Sequence, residues 1–225
     1  MIFLSPEEWQ VLRFTLGMSA FSVLLILPWA IALAWLMARW QWFGKSLVET
    51  LVMLPIVMPP VATGLILLNC FGKHSFLGNF LEKTFGIEII FTWKAVVLAL
   101  SVMSFPFLFR ATRIAFEGIN PRLEQMARTL GAGPWRVFFT ISLPLASHGI
   151  VAGTVLAFAR ALGEFGATVL VAGIIPGKTA TLSLSIYQCV QMGQDEKCFR
   201  LIAVSVFLSF AALWVSEHFL RQRKV

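Results

Sequence analysis

The sequence predicts an all-α protein that crosses a membrane about five times, and two observations carry that prediction. Of the 225 residues, 58% are hydrophobic and 13% are charged, and the mean hydropathy is +0.83. The hydrophobic share is well above that of an average soluble domain. The apolar residues also gather in runs of about 20, the length that a helix needs to cross a bilayer. We therefore expect one transmembrane domain over residues 1–225, with its core at about 10–220.

Five apolar runs define the expected spans. The first run follows a start that is acidic and lacks the basic residues of a signal peptide, so we expect it to remain in the protein as a membrane helix. Short polar segments separate the later runs. The expected spans are Phe14–Leu36, Leu47–Phe71, Phe91–Phe109, Gly149–Val171 and Phe199–Leu220.

Basic residues set the expected orientation of these spans. With the N-terminus outside, ten of the 18 lysines and arginines fall in inner segments and seven in outer ones, while Arg160 lies inside the fourth span. Cytoplasmic loops are enriched in basic residues, and the cluster from Arg110 to Arg136 and the tail RQRKV are the most basic segments. We therefore expect the C-terminus in the cytoplasm. Because the charge is spread over short loops, it argues against nucleic-acid binding.

The polar segment between the third and fourth spans predicts a short amphipathic helix over residues 121–130. Apolar residues recur there at helical spacing, and basic residues occupy the other faces. Periodicity alone leaves two alternatives open, a helix on the membrane surface and a docking helix for a soluble partner. The signals for the helix ends are Asn120 as N-cap, Pro121 at the first helical position, Glu124 in the first turn, and Gly131 or Gly133 after the last turn.

The same segment resembles the cytoplasmic signature of ABC-importer permeases, which reads Glu-Ala-Ala, three residues, Gly, nine residues, Ile-x-Leu-Pro. Gly131 is followed after nine residues by ISLP, which contains Ile141, Leu143 and Pro144. The Glu-Ala-Ala positions fall on Gln125, Met126 and Ala127, so only the third position matches, and the acid of this chain, Glu124, lies one residue upstream.

Two further segments resemble the molybdate branch of these permeases, with the sulfate permeases close to it. They are LPIVMPPVATG, from Leu54 to Gly64, and FARALGEFGATVLVAG, from Phe158 to Gly173. The resemblance implies a type I ABC permease in the inner membrane of a bacterium. It implies a homodimer that forms the pathway, two cytoplasmic ATPase subunits that each receive one coupling helix, and a periplasmic molybdate-binding protein.

On the strength of this resemblance, residues 120–144 are the expected coupling segment. The expected substrate is molybdate, and sulfate, thiosulfate or tungstate is the alternative on the same scaffold. A secondary transporter that needs no ATPase is the alternative from another class. The residues expected at the ATPase contact are Glu124, Gln125, Met126, Ala127, Gly131, Ile141, Leu143 and Pro144.

Prolines interrupt the second span. A proline in a membrane helix frees backbone carbonyl groups that neighbours or water must satisfy, so this span is either a kinked packing helix or part of the pathway and its gate. The candidate pathway residues are Pro55, Pro59, Pro60, Thr63 and Gly64.

The fourth span contains a possible ion pair. Arg160 and Glu164 are four residues apart, which places them on one face of a helix, and charges inside a membrane are costly unless they face protein or water. The pair has either a structural role or a direct role in contacting substrate.

Signals for catalysis or cofactors are weak in this sequence. The segment GIIPGKT, from Gly173 to Thr179, lacks the spacing of a phosphate-binding loop. We therefore expect no ATP site, metal, cofactor or enzymatic activity on this chain, with ATP hydrolysed on a partner subunit. Cys189 and Cys198 fall in one expected outer loop, and the sequence leaves open whether they form a disulfide. The histidines, which lack metal-ligand spacing, are His74, His148 and His218.

Overall fold

The computed structural model describes residues 4–73 and 75–221, with side chains as far as Val215. His74, Arg223 and Lys224 lie outside the described residues, as do the side chains of His218 and Arg221. The basic residues of the tail are therefore known from the sequence alone.

The described chain folds into helices joined by short links. In chain order these are α1 (Pro6–Arg39), α2 (Lys45–Val57), α3 (Pro60–Phe71), α4 (Phe76–Phe85), α5 (Trp93–Glu117), α6 (Pro121–Thr129), α7 (Pro134–Val137), a π-helix (Phe138–Ser142), α8 (Leu143–Leu162), α9 (Gly166–Ala172), α10 (Leu182–Gln191) and α11 (Asp195–Arg221).

Among the described residues, four helical runs are long and apolar enough to cross a membrane, and a broken pair supplies a fifth candidate. The four are α1, α5, the continuous run from α7 to α8, and α11, while α2 and α3 qualify together although they are bent by 114°. The prediction of an all-α membrane protein with about five spans is therefore confirmed.

Helix α5 forms the centre of the bundle. In its most apolar stretch 67% of the residues are buried, compared with 11% in α11, and α1 and α8 both pack against it. Small residues allow the close approach of α8, since a Cβ added to Gly153 would lie 2.7 Å from the Cβ of Ala111. Such small-residue contacts are typical of helix packing inside membranes.

An ion pair joins the first and last spans at the end of the bundle that is expected to face outward. Ser5 and Glu8 form a capping box that begins α1, and Glu8 also lies 3.0 Å from Arg200 of α11. Nearby, Cys189 and Cys198 are buried free thiols, so the structure contains no disulfide between them. Burial raises the pKa of the Cys189 thiol.

The boundaries of two spans differ from those predicted. The second span breaks at Met58 and Pro59, whereas Pro55 lies within α2. The prediction of one helix over Gly149–Val171 was wrong, because the helix begins earlier and ends at Leu162. Hydropathy stays high through the following residues, but the carboxylate of Glu164 binds a backbone N–H and starts a new helix there.

Candidate functional site

The helix α6 lies in the expected coupling segment, and local chemistry sets both of its ends. The Asn120 side chain accepts a hydrogen bond from the N–H of Arg122 at 3.0 Å, and α6 ends within one residue of the prediction. Gly131 then adopts a left-handed φ of +84°. Its N–H and that of Ala132 bond back to the carbonyls of Arg128 and Ala127, which is the Schellman arrangement.

The conformation of Gly131, rather than the space around it, requires glycine at this position. A Cβ added there would meet no heavy atom within 4 Å. A side chain would nevertheless be strained, because L-residues rarely adopt a left-handed backbone.

Much of the apolar surface of this segment is exposed. Large apolar side chains normally avoid water, and clusters of them on a protein surface mark interaction sites. Gln125 is also exposed, and Ala127 is half-buried. Five large apolar side chains are exposed here, and we call them the exposed apolar residues of the insert. They are Leu123 (44% exposed), Met126 (64%), Leu130 (88%), Trp135 (69%) and Phe139 (60%).

Glu124 points in the opposite direction, into the protein. It is only 5% exposed, and its Oε1 accepts a hydrogen bond from Arg39 Nε at 2.9 Å and another from Ser142 Oγ at 2.7 Å. Arg39 Nη2 lies 2.7 Å from the same oxygen. The sequence did not predict these two partners, although a basic residue at the end of the first span was a signal for one of them.

The ISLP motif joins the insert to the fourth span without a loop. Ile141 lies in the π-helix, Leu143 begins α8, and the run from Pro134 to Leu162 is continuous. Pro144 has no N–H, and its ring would crowd the carbonyl of Thr140 in a regular α-helix. The wider π-turn immediately before it, with Leu143 N–H bonded to the Phe138 carbonyl, accommodates the ring.

The predicted ion pair of Arg160 and Glu164 lies at the break between α8 and α9. Arg160 Nη2 is 2.6 Å from Glu164 Oε2, and the glutamate side chain is 1% exposed. The other carboxylate oxygen accepts the N–H of Ala167 at 2.9 Å. Glu164 therefore follows the end of α8 rather than lying on its face, and it links that end to the first turn of α9.

The two broken spans pack directly on each other. A Cβ added to Gly64 of α3 would lie 2.8 Å from Cα of Ala167, and one added to Gly166 of α9 would lie 2.7 Å from the Cβ of Pro60. Thr63, which is 6% exposed, has a buried hydroxyl without a hydrogen-bond partner among the described residues. Pro60, Gly64 and the ion pair thus lie in one region of the fold, whereas Pro55 lies on α2.

Comparison with known proteins agrees with this architecture. Residues 11–224 match the family described as binding-protein-dependent transport system inner membrane component. The chain is 47% identical over 215 residues to the molybdenum transport system permease protein ModB of Escherichia coli (strain K12), covering 95% of this chain and 94% of that protein. It is 44% identical to ModB of Haemophilus influenzae, with coverage of 93% and 92%.

Sulfate permeases are more distant relatives. The sulfate transport system permease protein CysW of Synechocystis is 34% identical, with coverage of 92% of this chain and 75% of that protein. Among solved structures, the crystal structure of the bacterial alginate ABC transporter in complex with alginate pentasaccharide-bound periplasmic protein has a similar chain. The TM-score is 0.72 at 19% identity, covering 99% of this chain and 80% of that one, which supports the fold alone. The chain therefore belongs to the family of binding-protein-dependent transport system inner membrane components.

Proposed function

We propose that this chain is the transmembrane permease subunit of an ATP-driven ABC importer that moves molybdate across the bacterial inner membrane. The observation that carries the proposal is the 47% identity to a molybdenum permease over 95% of the chain. The 34% identity to a sulfate permease makes sulfate the second candidate, and tungstate, as another tetrahedral oxyanion, belongs with it.

The coupling segment supports dependence on a separate ATPase. Its exposed apolar residues would be costly in water, and docking on a cytoplasmic ATPase subunit would cover them. The helical run from α7 into α8 passes through Ile141, Leu143 and Pro144 without a loop. A movement of the ATPase would therefore reach the fourth span as the displacement of a rigid element.

The packed breaks between α2 and α3 and between α8 and α9 support a role in the pathway. Discontinuous helices in transporters commonly lie at substrate sites, where backbone groups are free to bind ligands. A second copy of the chain would complete the pathway, with Pro59, Pro60, Thr63 and Gly64 on its lining or in its gate. A periplasmic binding protein would deliver the anion at the outer face, on the side of the N-terminus.

The energetics of anion uptake also favour a transporter in which a separate subunit supplies the energy. A doubly charged anion that enters against a negative-inside potential costs about 4.6 kcal/mol per 100 mV. Proton coupling, the basis of a secondary transporter, would need a free acid within the spans. Glu164, the acid that the sequence places deep in a span, is not free, because it is engaged by Arg160 and by a backbone N–H.

Reconstitution tests the proposal. We expect liposomes that contain this chain, its cognate ATPase and a molybdate-binding protein to accumulate molybdate when ATP is supplied, and liposomes with this chain alone to accumulate none. Competition with tungstate and sulfate ranks the three anions. Accumulation of molybdate by the lone chain under a proton gradient would overturn the proposal.

A further inference from the structure

We infer that Glu124 is a positioning residue that clamps the coupling helix α6 to the inner ends of α1 and the fourth span, so that movement of the ATPase reaches both. The inference rests on the proposed function, and it assigns Glu124 a role distinct from contact with the ATPase.

The geometry of the clamp joins three elements at one oxygen atom. Glu124 Oε1 lies within hydrogen-bond distance of Arg39 in the last turn of α1 and of Ser142 at the last residue of the π-helix. Arg39 is 85 residues away in sequence, whereas α6 otherwise packs mainly on α7 and the π-helix, its neighbours along the chain. The carboxylate is therefore a long-range link between α6 and the first span.

The surroundings of the clamp favour a persistent pair. The side chains of Arg39 and Glu124 are 13% and 7% exposed. One turn earlier on α1, the ring of Trp35 lies 4.9 Å from that of Phe138, centroid to centroid. Aromatic packing beside the pair limits access of water, and a charge-assisted hydrogen bond is stronger where water is excluded.

The two sides of α6 therefore have different tasks. Met126 and Leu130 are exposed and available to a partner, whereas Glu124 is buried and held by the chain itself. Because α1 and α8 both pack on α5, a displacement of Glu124 would act on two helices that contact the centre of the bundle. Loss of the clamp would leave docking intact and weaken transmission.

The decisive variant is Glu124→Gln, which keeps the shape of the side chain and removes its charge. We expect the variant permease to co-purify with its ATPase as the wild type does, while molybdate taken up per ATP hydrolysed falls by roughly 2- to 30-fold, the range found for residues that carry coupling between sites. Glu117→Gln is the matched control, since Glu117 is 43% exposed and its partner Arg113 keeps a second partner in Glu49. The control should leave the ratio unchanged.

A double variant and a proteolysis assay separate the clamp from general instability. If Glu124 acts through Arg39, Arg39→Gln combined with Glu124→Gln should be no worse than Glu124→Gln alone. In detergent, without ATPase, trypsin should cut α6 at Arg122 and Arg128 faster in Glu124→Gln than in wild type or the Glu117→Gln control. This assay depends neither on transport nor on docking.

Three results would overturn the inference. Loss of ATPase co-purification in Glu124→Gln with an unchanged trypsin pattern would make Glu124 a contact residue. An unchanged ratio of uptake to hydrolysis would show that the pair does not transmit movement. Failure of the wild-type chain to bind any ATPase would instead refute the proposed function, and the coupling role of the clamp with it.

Discussion

Replacing Arg160 with alanine should leave Glu164 buried beside a break between two helices without its cationic partner. Removing one partner of a buried ion pair costs about 3–5 kcal/mol. Two observations place this case at the lower end, about 3 kcal/mol. The Arg160 side chain is 24% exposed, so water partly replaces it, and Glu164 retains the N–H of Ala167.

The assay for this prediction is the thermal unfolding midpoint of the purified permease in detergent, measured together with molybdate uptake by the reconstituted transporter. Arg160→Ala should lower both, and Arg160→Ala with Glu164→Ala should recover part of the loss, because no charge is then left unpaired. Lys73→Ala is the control, since Lys73 and Glu88 form an exposed pair and exposed pairs contribute little.

One pattern of results would refute a structural role for the pair. If Arg160→Ala abolishes uptake at an unchanged unfolding midpoint and the double variant restores nothing, the arginine serves the anion directly. The exposed fraction of its side chain would then be the part that faces the pathway.

Two glycine substitutions give further predictions, each with a neighbouring glycine as control. Gly131→Val should destabilise the folded protein by about 1–2 kcal/mol through left-handed strain and reduce the uptake per ATP hydrolysed. Gly133→Val, at a φ of −67°, should do neither. Equal ratios of uptake to hydrolysis in the two variants would contradict this prediction. Gly166→Ala should force α9 away from Pro60 and lower the unfolding midpoint by the equivalent of about 1–3 kcal/mol, whereas Gly163→Ala, with open space around it, should be tolerated. An unchanged midpoint in Gly166→Ala would show that the two broken spans do not pack as described.

The ends of α6 could be predicted because they depend on nearby residues. Asn120, Pro121 and Gly131 act within one turn of the helix, so their chemistry is visible in a short stretch of sequence. The prediction for the fourth span was wrong because hydropathy is averaged over a window of about 20 residues. A single carboxylate at Glu164, which starts a new helix, hardly changes that average.

Long-range relations were beyond the reach of the sequence pattern. Periodicity gives the angular separation of residues on a helix, but it does not state which side meets the protein. In α6 the usual rule is reversed, since Glu124 is buried while Met126 is exposed. The contact between Gly64 and Ala167 likewise brings together residues from different spans, and nothing local in either segment indicates the other.

The π-helix between α7 and α8 sets the rotation of the insert relative to the fourth span. A π-turn holds one residue more than an α-turn, and one residue corresponds to a rotation of about 100° around a helix axis. The wider turn therefore determines the direction in which Trp135 and its neighbours face relative to the fourth span. If the same residues formed a regular α-helix, the insert would be turned by about 100° relative to that span, whereas deletion of Thr140, the central residue of the π-helix, would let the turn close as an α-turn and keep the exposed side chains facing as they do now.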